Sequence, residues 1–78
     1  MQFDTQQRDA LLALHGVGPT VIKRFEQIGI TSFDELKQYR AEDIAEMVAK
    51  LLHTTCWKNS PQAKAAINAA IELAKRQA

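Results

Sequence analysis

The sequence predicts an all-α protein, a compact bundle of about five short helices. Three observations predict it. Ile44, Met47, Val48, Leu51 and Leu52 recur at the i, i+3, i+4, i+7, i+8 spacing of one helix face. Two shorter apolar patterns, one through Leu11 and Leu14 and one from Val21 to Ile28, meet at Gly16-Val17-Gly18-Pro19. Ser60-Pro61 opens a last run whose inner face is Ala63, Ala66, Ile67, Ala70, Ile71 and Ala74. With 78 residues and 46% apolar side chains, the chain has enough material for one small core and too much for disorder.

Met1 to Phe3 form a lead-in, with Phe3 as a hydrophobic staple ahead of a cap at Asp4 or Thr5. Helix one runs from there to about Leu14, with Leu11 and Leu14 inward and Leu12 close by. The turn is Gly16 to Gly18, where two glycines allow positive φ. Helix two runs from Pro19 to about Ile28, because proline suits the first helical position and Gly29 suits the end. Ser32 and Glu35 make a capping box for a short helix three that ends near Gln38 or Tyr39, with Phe33 and Leu36 as its anchors in the core. Helix four starts at Ala41 or Glu42, with Glu42 and Asp43 in the first turn as the helix dipole favours, and ends near His53. A loop from Thr54 to Ser60 leads into helix five, which closes on Lys75 and Arg76.

The chemistry is expected at the start of helix two. With Gly18 as cap and Pro19 lacking a donor, the amides of Gly18, Thr20 and Val21 have no intrahelical acceptor. They sit at the positive end of a helix dipole, which suits an anion and phosphate above all.

Leu11, Leu14, Gly16-Val17-Gly18-Pro19, Phe25 and Gly29-Ile30 together resemble the helix-hairpin-helix motif of DNA repair, recombination and replication proteins. The resemblance covers about a quarter of the chain. It extends to small stand-alone bacterial proteins of that family, including those labelled pathogenicity-locus proteins. It implies a cytoplasmic domain spanning residues 1–78, of helix-hairpin-helix or SAM-domain-like architecture, with its motif core at 11–30 and a second helix pair at 41–76. The second hairpin is degenerate, because the loop from Thr54 to Ser60 has no Gly-x-Gly. The implied function is binding of the DNA backbone without sequence specificity. Gly16, Val17, Gly18, Thr20, Val21 and Lys23 are the implied contacts, and Lys58 is a candidate at the second loop. Hairpin carbonyls holding a monovalent cation on DNA are also implied. Thr20 stands where the family often has lysine, and Ile22 where it often has a small residue.

Charge supports this reading weakly. The chain carries a formal +1, less than a dedicated DNA-binding domain usually has. Residues 1–33 balance, 34–46 carry −3 and 47–78 carry +4. An acidic middle and a basic end can make a two-faced domain, although solvated helix surfaces explain the acids equally well. His15, just before the turn, either adds charge beside a phosphate at low pH or caps the end of helix one.

Other chemistries are not expected. The single cysteine, Cys56, excludes an internal disulfide, fits a reducing compartment and reads as a small buried hydrophobe. His53 and Cys56 have a metal-like spacing, but a closed zinc site needs four ligands and His15 is the one further candidate. Trp57 reads as a plug between helices four and five, with stacking on a nucleobase as the alternative. There is no nucleophile motif, no Walker loop and no recognisable carboxylate pair, so neither an enzyme nor a bound cofactor or small-molecule substrate is expected. No secretory leader or membrane-spanning run is evident. The rival function is a protein-interaction or self-association module on the same bundle, favoured by the low net charge and by Thr20.

Overall fold

In the computed structural model, which describes residues 2–53 and 59–77, five helices follow in order among the described residues: α1 (Thr5–Leu12), α2 (Pro19–Gln27), α3 (Phe33–Leu36), α4 (Ala41–Leu52) and α5 (Pro61–Gln77). The described residues contain no strand. The radius of gyration is 11.2 Å, against about 11.5 Å for a single compact unit of this length. The residues Thr54, Cys56, Trp57 and Lys58, for which the sequence raises expectations, lie outside the described residues.

Local chemistry explains the boundaries. Asp4 caps α1, its Oδ1 accepting from Gln7 N–H at 2.8 Å. The helix stops at Leu12, two residues earlier than the apolar pattern suggests, and Leu14 N–H turns back to Leu11 O at 3.1 Å. Gly29 ends α2 with φ +90°. Its N–H donates to Glu26 O at 3.1 Å and Ile30 N–H to Phe25 O at 2.9 Å, while Phe25 and Ile30 are both fully buried. That is a Schellman ending with its apolar contact.

Ser32 caps α3, accepting from Glu35 N–H at 3.2 Å. The reciprocal half of the expected capping box is shifted by one residue. Glu35 Oε1 accepts from Thr31 N–H at 3.1 Å, from Thr31 Oγ1 at 3.0 Å and from Ser32 Oγ at 3.3 Å. These donors, the Thr31 backbone first, hold the Glu35 carboxyl below its ordinary pKa.

Helix α5 packs along α4 and across α3, α1 rests on α2, and α2 touches α4. The buried face of α4 is Ala41, Ile44, Ala45, Val48 and Ala49. It is rotated from the stripe expected of Met47 and Leu51. Ala45 and Ala49 are buried where Met47 and Leu51 were expected, and Leu51 is left 41% exposed. Leu12, expected close to the core, is likewise 37% exposed. On α5, Leu73 joins the anticipated inner face, while Ala63 is only half-buried.

Phe3 departs from a staple. The position it would clamp on α1 is Arg8, which offers no apolar partner. It crosses instead to α2, where its ring meets Phe25 edge-on at 6.4 Å and its N–H donates to Glu26 Oε2 at 3.0 Å. The lead-in therefore ties α1 to α2 behind the turn that joins them.

Candidate functional site at the start of α2

The turn between α1 and α2 is anchored from inside. Val17 is buried, and its N–H donates to Leu14 O at 3.3 Å. Gly16 sits at φ +85°, where an L side chain is strained. Gly18 differs from the expectation of positive φ. It is extended, with φ −121° and ψ −178°, a conformation open to any residue. A Cβ on Gly18 meets nothing within 4 Å. Neither backbone conformation nor packing within the chain therefore requires glycine there.

Gly18 caps α2 without a side-chain hydrogen bond, and its carbonyl accepts from Ile22 N–H at 3.3 Å. Among the described residues, nothing accepts from the N–H groups of Gly18, Thr20 or Val21. Thr20 is exposed, and Gly18 and Val21 are half-buried. The other described helix starts are all compensated. Asp4, Ser32 and Ser60 cap α1, α3 and α5 through their side chains, and α4 carries Glu42 and Asp43 in its first turn. Helix α2 has neither a side-chain cap nor a first-turn acid.

Lys23 is exposed one turn further on. With Arg8, Pro19 and Ile22 it lines a groove of about 430 Å³ between α1 and α2, which also holds the acids Asp9 and Glu26. Arg24 turns away from the hairpin. Its Nη1 donates to Gln27 Oε1 at 2.7 Å, and its Nε is buried with no partner among the described residues. Lys23 rather than Arg24 thus lines the groove beside the hairpin, together with Arg8.

On the other side of the turn, His15 and Gly16 line a cleft of about 320 Å³ with Gln62, Ala65 and Ala66 of α5. The first hairpin and the start of α5 are neighbours in space although 46 residues separate Gly16 from Gln62. At its far end, α5 brings Gln77 beside Asp4 and Gln6 at the start of α1. A helix rises 1.5 Å per residue, so that end lies roughly 22 Å from Gln62. The basic pair Lys75 and Arg76 is consequently remote from the hairpin and does not reinforce it.

Sequence reasoning missed Arg8, Gln62 and Ala65 as neighbours of the site. Arg8 falls in a stretch of weak periodicity, and the α5 residues reach the turn only through tertiary packing. Among the described residues, no group of three His, Cys, Asp or Glu side chains could hold a metal ion, and no helix is long and apolar enough to cross a membrane. No family model, curated protein or solved structure matches this chain.

Proposed function

We propose that the protein is a helix-hairpin-helix domain that binds DNA through backbone phosphates, without reading sequence. The observation that carries this reading is the start of α2. It is the one described helix start with neither a side-chain cap nor a first-turn acid, and its cap is a glycine the fold does not need. A side chain at Gly18 would stand where an incoming phosphate oxygen must approach. Its absence leaves the Gly18, Thr20 and Val21 amides accessible at the positive end of the helix. Lys23 adds one charge at the edge, and the Thr20 hydroxyl adds a donor. Arg8 in the same groove adds a second charge, and Asp9 and Glu26 offset both, so affinity is modest and confined to low salt. A role in repair, recombination or related DNA metabolism follows from the family resemblance.

The test is a titration of a short duplex at low and moderate salt with wild type, Gly18→Glu and Lys23→Glu. Wild type binds with an affinity that falls steeply with salt, because each neutralised phosphate releases counterions. Gly18→Glu puts a carboxylate against the free amides and lowers affinity by more than about tenfold, the scale of one or two charge-assisted hydrogen bonds. Lys23→Glu weakens binding less and flattens the salt dependence. Equal affinity of all three proteins contradicts the proposal.

A second reading rests on Leu51 and Leu12, the large apolar side chains most exposed among the described residues. A protein-interaction module would use them. Gel filtration over a range of concentrations, with Leu51→Lys as the variant, separates the two readings.

A further inference from the structure

The hairpin and the cleft beside it share Gly16, and the cleft is chemically unlike two other depressions among the described residues. The groove beside Lys23 contains Asp9 and Glu26, and the cleft beside Phe33 contains Asp4. The cleft between the hairpin and α5 is lined by His15, Gly16, Gln62, Ala65 and Ala66 and has no carboxylate. A group that arrives attached to a phosphate meets no repulsion there.

Its lining also has a definite character. Ala65 and Ala66 supply methyl groups, His15 supplies a flat aromatic ring, and Gln62 supplies one donor and one acceptor on the same amide. Its volume of about 320 Å³ stands at the small end of ligand pockets, which begin at about 300 Å³. A planar heterocycle with apolar faces and a polar edge matches each of these properties. Histidine is among the side chains on which unstacked bases rest.

We infer that this cleft receives one unpaired nucleobase of the strand whose phosphate the hairpin holds. The inference rests on the phosphate-binding reading and deepens it by naming the form of DNA preferred. Bases in an intact duplex stay stacked and cannot enter. A bulged, gapped or single-stranded nucleotide next to the held phosphate can swing in, with its ring over the alanine methyls and its edge on the Gln62 amide.

The experiment measures fluorescence anisotropy of the 78-residue chain with three probes: a short duplex, the same duplex carrying one unpaired nucleotide, and that duplex with an abasic residue in place of the unpaired nucleotide. The abasic probe keeps the extra phosphate and the flexibility and removes only the base. The unpaired nucleotide is expected to bind about tenfold tighter than either control, the scale of one stacked base. Ala65→Leu, an exposed site taking a good helix former, fills the cleft; it should erase that advantage and leave plain-duplex affinity unchanged. Gln62→Ala should reduce the advantage in part, and Gly18→Glu should lower affinity for all three probes by more than about tenfold. Equal affinity for the unpaired and abasic probes, or an advantage that survives Ala65→Leu, overturns the inference, and measurable duplex binding in that case leaves the phosphate reading standing. No binding of any probe at low salt overturns both.

Discussion

Two helices in this molecule begin with a small residue followed by proline, and they begin differently. At the start of α5, Ser60 Oγ accepts from Ala63 N–H at 3.2 Å ahead of Pro61. At the start of α2, Gly18 precedes Pro19 and offers no side-chain acceptor. Serine is the better cap by a few tenths of a kcal/mol, and the Gly18 backbone is extended enough to accept one. The first start satisfies one of its donors with its own cap, and the second satisfies none that way. Selection for folding alone accounts for Ser60 and does not account for Gly18. The glycines of the turn divide in the same way. Gly16 is required by its φ of +85°, whereas Gly18 is required by nothing inside the chain.

This contrast can be broken experimentally, beginning with the largest effect on stability. Gly16→Ala forces an L side chain into the left-handed region and should cost about 1–2 kcal/mol, measured as a lower urea midpoint with unchanged slope. A midpoint equal to wild type would mean that the turn has some other conformation. Ser60→Ala removes a working cap and should cost about 1 kcal/mol by the same measurement. Gly18→Ser should move the other way and raise stability by a few tenths of a kcal/mol. The introduced hydroxyl claims a donor at the start of α2, so the same substitution should weaken DNA binding. If stability and affinity change in the same direction, the idea that folding and function compete at this residue is wrong.

The smallest effect concerns α3, a helix start that resembles α5 in being closed. Glu35 has its pKa lowered by Thr31 and Ser32. A lowered folded-state pKa means that its contribution is complete above the unfolded glutamate value of about 4.3 and is lost as pH falls through the folded value. Urea unfolding of wild type and Glu35→Gln should therefore show a stability gap at pH 7 that narrows on acidification through the carboxylate range. A gap independent of pH would show that the Glu35 charge has no part in the cap.

Much of this was legible in the sequence because it is local. Caps at Asp4, Ser32 and Ser60, proline at Pro19 and Pro61, and the stop at Gly29 all act within a few residues, and the helix order follows from them. What periodicity could not deliver was rotation about a helix axis. The inner face of α4 includes Ala45 and Ala49 rather than Met47 and Leu51, and which neighbours surround a helix is not encoded in its own periodicity. Phe3 was legible as buried but not as a partner of Phe25, since its contact spans 22 residues. At the candidate site, the free amides could be read from Gly18-Pro19 and the exposure of Lys23 from its offset. That Gly18 is extended, that Arg24 turns toward Gln27, and that Gln62 and Ala65 border the hairpin are products of tertiary packing.

The central claim concerns backbone donors at one helix start, and an amide-resolved NMR titration with a short duplex at low salt observes them directly. The amides of Gly18, Thr20 and Val21 should shift first and furthest. The Val17 amide, already bonded to Leu14, should move less, and the amides at the Ser60-capped start of α5 beyond the neighbouring cleft should move least of the three groups. Shifts concentrated elsewhere, with Gly18, Thr20 and Val21 unmoved at saturating DNA, would contradict the account.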